Sequence, residues 1–256
     1  MEIDDALNYI IDVVNAKIEF ERDNFIEFER KEKAKAYAVD GSSIKLFDAS
    51  SFSIFARRVG YVFANEKGVI DKKINDILID ICDENENEER REREEKELAM
   101  KLKENNEIVM LDGCLNEKIE GIVAISKKSG LKIRNMPLIF LINRFADKIM
   151  PSKCWYYEIE KGIYAVKLHP YSRFAFRIDY YGDDIEEILS IISAFCNDIS
   201  CLGYPYPLAE VHKLVTIKQE EGEYLKYALF KKAIEKGAKI DDLESMFYDY
   251  HEYLEG

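Results

Sequence analysis

Apolar residues recur at two different spacings along the chain, and each spacing predicts a type of element. Residues 3–35 carry apolar side chains near helical spacing with charged residues between them, which predicts one or two amphipathic helices. An apolar run at 36–39 ends on Asp40, and residues 41–43 predict a turn before a second apolar run at 44–47. The chain is therefore expected to open its sheet with an antiparallel strand–turn–strand unit.

A long charged segment at 83–104 separates this opening from the next apolar strand. Its mixed charges and good helix formers predict an exposed helix that becomes amphipathic only near its end. Residues 108–111 then form a second apolar run that ends on Asp112 and Gly113. We also expect a hairpin at 58–70, strands at 122–126, 155–159, 163–168 and 173–180, and helices at 138–149, 184–201 and about 208–254. This mixture predicts an α/β fold.

Composition limits the class of protein. With 256 residues, 47% of them hydrophobic, the chain can bury a sizeable core as one domain. No stretch approaches the roughly 18 apolar residues of a membrane helix, and no signal peptide is evident, so a soluble, cytoplasmic protein without membrane contact is expected. Five cysteines without CxxC spacing predict reduced thiols and neither a zinc knuckle nor a disulfide framework.

The net charge of −13 argues against a protein that simply coats nucleic acid, because such proteins neutralise phosphates with clustered Lys and Arg. The negative charge is concentrated, however. Residues 83–97 contribute −5 and residues 241–256 contribute −6, which leaves about −2 for everything else. A locally basic channel is compatible with that remainder.

The chemical signal lies in the two Asp–Gly pairs that follow apolar runs. An aspartate at the carboxyl end of a buried strand exposes its carboxylate at the sheet edge, and two such strands side by side bring Asp40 and Asp112 together. A pair of divalent ions roughly 4 Å apart at such a site can hydrolyse a phosphodiester. The alternative is that Asp–Gly serves only as turn chemistry.

Four segments in order resemble the pattern of the NurA nuclease family. They are Ala38-Val39-Asp40-Gly41-Ser42-Ser43, Leu111-Asp112-Gly113-Cys114-Leu115, Ile125-Ser126-Lys127 and Gly203-Tyr204-Pro205-Tyr206-Pro207-Leu208-Ala209-Glu210-Val211-His212. Cys114 stands where the family pattern usually has Ser.

The resemblance implies an RNase H-like mixed sheet with flanking helices and helical N- and C-terminal extensions. It divides a single domain, 1–256, into N-terminal helices at 1–35, an RNase H-like core at 36–220 and an acidic helical extension at 221–256. The implied activity is 5′–3′ exonuclease and single-strand endonuclease cleavage of DNA in end resection and double-strand break repair. The implied cofactor is Mn²⁺ at a two-ion site, with Mg²⁺ as an alternative, and the implied partners are a HerA-type hexameric ATPase and a second copy of the chain.

Carried over by position, the resemblance assigns a role to each site residue. Asp40 and Asp112 match the metal-binding aspartates, and His212 matches the histidine that completes the site. A family glutamate on the preceding helix corresponds to Glu97 by spacing or to Glu94 by helical phase, and Glu97 is preferred. Lys127 is expected to bind the scissile phosphate or the attacking hydroxide, with a surface lysine as the alternative, and Tyr206 to stack on an unpaired base or simply to pack.

The expected reaction is hydrolysis without a covalent enzyme intermediate, since His169, His212 and His251 lie in no recognisable nucleophile motif. Two other functions remain open. One is a non-catalytic adaptor that keeps the fold and docks on an ATPase ring. The other is an RNase H-like nuclease acting on RNA or on structured junctions.

Overall fold

This computed structural model describes residues 3–49, 51–115 and 118–247. These residues form strands and helices. The strands are β1 (Phe25–Glu27), β2 (Lys35–Asp48), β3 (Ser53–Asn65), β4 (Gly68–Ile74), β5 (Leu78–Cys82), β6 (Ile108–Asp112), β7 (Ile122–Ser126), β8 (Lys132–Ile133), β9 (Met136–Pro137), β10 (Trp155–Glu160), β11 (Ile163–Lys167) and β12 (Phe176–Asp179). The helices are α1 (Ile3–Asn15), α2 (Glu84–Lys103), α3 (Leu138–Ile149), α4 (Ile185–Ser193), α5 (Tyr206–Val215), α6 (Gln219–Glu235) and α7 (Ile240–Met246).

Ten of these strands form one mixed sheet, in the order β1-β10-β11-β12-β7-β6-β2-β3-β4 with β5 also paired to β3. β2 pairs antiparallel with β3 along its whole length, whereas β2, β6 and β7 run parallel to one another. β8 and β9 form a separate small hairpin. The predicted α/β class is confirmed. The sheet opens antiparallel, but through β2 and β3 and not through the strand–turn–strand unit predicted at 36–47.

Helices cover both faces of the sheet because its central strands are apolar on both sides. On one face, α4 and α5 pack on a core that contains Ala38, Met110 and Ile178. On the other face, α2 packs through Ala99 and Leu102, and α3 packs on a separate cluster around a fully buried tryptophan, Trp155. The sheet therefore separates two layers of helices.

The predicted turn at Gly41–Ser43 is wrong, since β2 continues through these residues opposite Val59 to Arg57. The glycine serves a close approach instead of a turn. A Cβ atom at Gly41 would lie 2.5 Å from Oε1 of Glu95 on α2, so the glycine lets this carboxylate approach β2 closely. The chain reverses after Asp48, where β2 ends.

The two ends of the chain also differ from expectation. The N-terminal segment contains one helix, α1, and residues 25–27 add strand β1 to the edge of the sheet beside β10. The helix predicted at 184–201 ends at Ser193. The C-terminal part is helical to Met246, and residues 248–256 lie outside the described residues. None of the helices in the described ranges combines the length and apolar character needed to cross a bilayer.

Candidate metal centre

Parallel pairing of β2 and β6 brings Asp40 and Asp112 together. The ladder ends on Val39 opposite Leu111, so the next residue of each strand is an aspartate. Alternation along both strands puts the two carboxylates on the sheet face covered by α5. Asp112 closes β6 as predicted, but Asp40 lies inside the longer β2, opposite Gly60 of β3. The register of the parallel pair, and not two strand ends, therefore creates the cluster.

His212 reaches the same point from α5. The helix packs on the sheet through the buried residues Leu208, Val211 and Val215, which places the adjacent His212 at the margin of that contact. Arg58 of β3 fixes the end of the helix, because its Nε donates to the carbonyl oxygen of Val215 over 2.6 Å. Nδ1 of His212 lies 2.8 Å from Oδ2 of Asp40.

One ligand atom each from Asp40, Asp112 and His212 lies within 4.8 Å of the other two. Asp40 is buried, whereas the side chain of His212 is 58% exposed, so the cluster opens to solvent on the histidine side. Burial raises the pKa of Asp40 and the neighbouring charge of Asp112 raises it further, while His212 and the backbone N–H of Gly41 oppose the shift. A cation between the carboxylates would relieve this repulsion.

Lys127 and Tyr204 hold Asp112 from its other side. The ammonium group of Lys127 forms an ion pair with Oδ2 of Asp112, and the hydroxyl of Tyr204 donates to Oδ1 over 3.1 Å. Nζ of Lys127 also lies 5.0 Å from the centre of the Tyr204 ring. Burial, together with the charge of Asp112, raises the pKa of Tyr204 far above its ordinary value, so the hydroxyl stays a proton donor.

The tyrosine that contacts the cluster is thus Tyr204, which sequence reasoning missed. The sequence predicts instead that Tyr206 stacks on an unpaired base or simply packs. The structure places its hydroxyl on the carbonyl oxygen of Asn65 and its ring 6.1 Å from that of Phe195. Tyr206 is therefore not brought to the cluster, and its contacts are those of a packed side chain.

The ligand atoms that converge within 4.8 Å in the described residues include none from α2, so neither Glu97 nor Glu94 is brought to the cluster, and Glu95 also lies outside that group. Oε1 of Glu94 accepts from Nη2 of the buried Arg57 over 2.9 Å, and Glu97 lines a shallow groove together with Lys101. The α2 carboxylate nearest Gly41 belongs to Glu95, which is 5% exposed.

Glu95 is electrostatically coupled to Asp40, and Arg91 forms an ion pair with it. Burial raises the pKa of Glu95 to about 8, although Arg91 opposes the shift. The helical phase could have identified this residue. Glu95, Ala99 and Leu102 are the buried stripe of α2, at i, i+4 and i+7, whereas Leu98 is only partly buried.

Asp179 stabilises the loop that follows Asp112. It is completely buried, accepts two hydrogen bonds from Arg177 over 2.7 and 2.9 Å, and accepts another from the backbone N–H of Leu115 over 2.9 Å. Because Leu115 lies three residues after Asp112, these contacts restrain the path of the chain as it leaves the cluster.

The chain is similar to known proteins in both sequence and fold. The NurA domain model matches residues 34–158 and 155–217. The structure is similar to that of the NurA nuclease from Sulfolobus solfataricus, with a TM-score of 0.66 at 17% identity over 91% of this chain and 94% of the other.

A more distant similarity links the fold to an endonuclease V. The Ciona intestinalis enzyme, solved in complex with a 23mer DNA containing an inosine followed by a ribo-adenosine, aligns with a TM-score of 0.50 at 12% identity, over 88% of this chain and all of that one. No curated protein matches the chain significantly in sequence.

The predicted mixed sheet with flanking helices is confirmed, and both of these nuclease structures share that fold. Since the family model covers well over half of its residues, the chain belongs to the NurA family. Membership and the fold together support a nuclease.

Proposed function

We propose that this protein is a metal-dependent deoxyribonuclease whose divalent ions are held by Asp40, Asp112, His212 and Glu95. The single observation that carries the proposal is the convergence of ligand atoms from Asp40, Asp112 and His212 within 4.8 Å of one another. Glu95 replaces Glu97 and Glu94 in the proposed ligand set because it is the α2 acid that lies against Gly41.

The donor set fits the proposed ion. Carboxylate oxygens with one imidazole nitrogen suit Mn²⁺, whereas Mg²⁺ prefers oxygen alone. The raised pKa values of Asp40 and Glu95 record the cost of holding buried carboxylates without a cation. A bound ion would remove that cost, supply Lewis acidity and lower the pKa of water.

The remaining residues orient the reacting groups. Lys127 is 43% exposed and neutralises Asp112, so its ammonium can also meet a phosphate that approaches the cluster. Tyr204 keeps Asp112 in place through its hydroxyl, which stays protonated. None of these roles requires a covalent enzyme intermediate.

The proposed substrate is DNA with a free end or single-stranded segment, cut as a 5′–3′ exonuclease and single-strand endonuclease in double-strand break repair in the cytoplasm. Membership of the NurA family supports this choice and the partnership with a HerA-type hexameric ATPase. A homodimer is proposed on a separate ground. The exposed apolar side chains of α1 include Ile3, Leu7 and Ile10, which are 87%, 51% and 57% exposed, and a second copy would cover them.

The test is manganese-dependent cleavage of tailed and single-stranded DNA by the wild type and by Asp40→Ala. The variant should fold but lose cleavage, because Asp40 is a proposed metal ligand and the most buried acid of the cluster. Asp76→Ala removes an exposed aspartate as a control and should cleave like the wild type. Retained activity in Asp40→Ala would refute the site.

Matched DNA and RNA strands distinguish the substrate. Preferential cleavage of RNA would favour the RNase H-like alternative. A protein that binds an ATPase ring but cleaves neither strand, with any metal, would be the adaptor.

A further inference from the structure

A cavity lies beside the metal centre and shares Lys127 with it. Its volume is about 420 Å³, and it is bounded by the end of β7, the first half of α3 and residues 173–177. This volume is that of a small-ligand pocket, which is roughly 300–1,000 Å³. It accommodates a nucleotide and not the width of a duplex.

The cavity is basic in a protein that is acidic overall. Its walls include four cationic side chains, Lys127, Arg144, Arg173 and Arg177, and one acid, Asp147. Three of these groups already have charged partners: Asp147 is paired with Lys167 over 2.6 Å, Lys127 with Asp112 and Arg177 with Asp179. Arg144 donates to the carbonyl oxygen of Val14, which leaves its positive charge unpaired by an acid of the described residues. Arg173 is exposed beside the opening. A phosphate backbone would therefore meet favourable charge along this wall.

Two exposed phenylalanines also line the cavity. Phe174 is 65% exposed and Phe140 is 43% exposed, although burying a phenylalanine gains about 1.5–3 kcal/mol. The backbone N–H of Phe174 donates to Oγ of the buried Ser172 over 3.1 Å, which restrains the main chain beneath the ring. An exposed aromatic ring next to cationic side chains is the arrangement on which unpaired bases stack.

Asn143 connects α3 to the segment that carries Phe174. It lines the cavity and is 9% exposed, and its Nδ2 donates to the carbonyl oxygen of Arg173 over 3.0 Å. This contact restrains the main chain beside Phe174.

We propose that this cavity is a subsite for one unpaired nucleotide next to the phosphate that is cut. Phe174 and Phe140 stack on its base, and Arg173 binds its phosphate. Lys127 connects the subsite to the metal centre. The inference rests on the proposed function for the reaction that follows binding, but the subsite itself requires no metal.

The test is fluorescence anisotropy of a labelled single-stranded DNA oligonucleotide in EDTA, which prevents cleavage. Phe174→Ala should weaken binding about 5- to 150-fold, the equivalent of losing one base–aromatic stack. Tyr224→Ala is the matched control, because Tyr224 is 69% exposed on α6, and it should bind like the wild type. Phe174 is exposed, so the variant should melt at the wild-type temperature.

A second arm tests the base contact from the DNA side. A strand of the same length without bases should bind the wild type at least as weakly as the normal strand binds Phe174→Ala, and the preference for the normal strand should be smaller in Phe174→Ala than in the wild type. Equal binding of the normal strand by wild type and Phe174→Ala would overturn the subsite. The proposed nuclease function fails on a different result, which is manganese-dependent cleavage that survives Asp40→Ala.

Discussion

Glu95→Gln removes the charge of the α2 carboxylate that lies against Gly41 while keeping the shape of its side chain. The pKa of Glu95 is raised from 4.5 to about 8 by burial, a shift equivalent to an upper bound of roughly 5 kcal/mol against the ionised form. At neutral pH, deprotonation therefore costs little. A cation at the cluster can thus recruit this carboxylate with release of one proton.

The first assay measures the affinity for Mn²⁺ by calorimetry. Glu95→Gln should bind Mn²⁺ about 10- to 100-fold more weakly, with a parallel loss of cleavage at limiting metal. Below pH 8, the Mn²⁺ affinity of the wild type should rise with pH more steeply than that of the variant, by a further factor of about ten per pH unit. The reason is that the variant releases one proton fewer when it binds Mn²⁺.

The second assay measures urea unfolding in EDTA. Between the unfolded pKa of 4.5 and the folded value of about 8, the folded wild type holds a proton that the unfolded chain releases. The free energy of unfolding contributed by Glu95 is therefore fully present below pH 4.5, falls as pH rises to about 8 and is then constant. Glu95→Gln should not show this fall.

Two neighbours provide matched controls. Glu97→Gln should change neither the Mn²⁺ affinity nor the pH dependence of the free energy of unfolding. Glu94→Gln should lower stability by about 1–3 kcal/mol through its contact with the buried Arg57, without changing Mn²⁺ affinity. The reasoning is refuted if Glu97→Gln or Glu94→Gln loses Mn²⁺ affinity while Glu95→Gln keeps it.

Two further substitutions test other parts of the account. Tyr204→Phe removes a hydrogen bond to a carboxylate, worth about 1.5–3 kcal/mol, and should slow single-turnover cleavage tenfold or more. Tyr206→Phe is its control, and equal rates for the two variants would contradict the assigned role. Leu7→Glu should convert a dimer to a monomer in light scattering, because it places a charge on the exposed apolar face of α1, and a persistent dimer would exclude that face.

Much of the fold could be predicted because apolar runs mark strands wherever they are buried on both sides. β6, β7 and α3 lie where the pattern indicates. Gly41 was misread because a glycine in a turn and a glycine beneath a packed helix look alike in sequence. Only the paired strand β3 and the approach of Glu95 distinguish them.

The site was predicted as far as local pattern extends. Asp40, Asp112 and His212 are placed by strand register and helix packing, and Lys127 by its position at the end of β7. The glutamate depends on which face of α2 packs on the sheet. A phase set by Ala99 and Leu102 identifies Glu95, whereas a phase set by Leu98 and Leu102 points to Glu94. The nucleotide cavity joins segments from three parts of the chain, which no local pattern reveals.

The most direct test of the metal centre is a crystal soaked in MnCl₂ and measured at the manganese absorption edge. The account predicts anomalous density between Asp40, Asp112 and His212, with Glu95 turned toward it and Glu97 unchanged. Anomalous density confined to the acidic surface of α2, with the cluster lacking an ion, would contradict it.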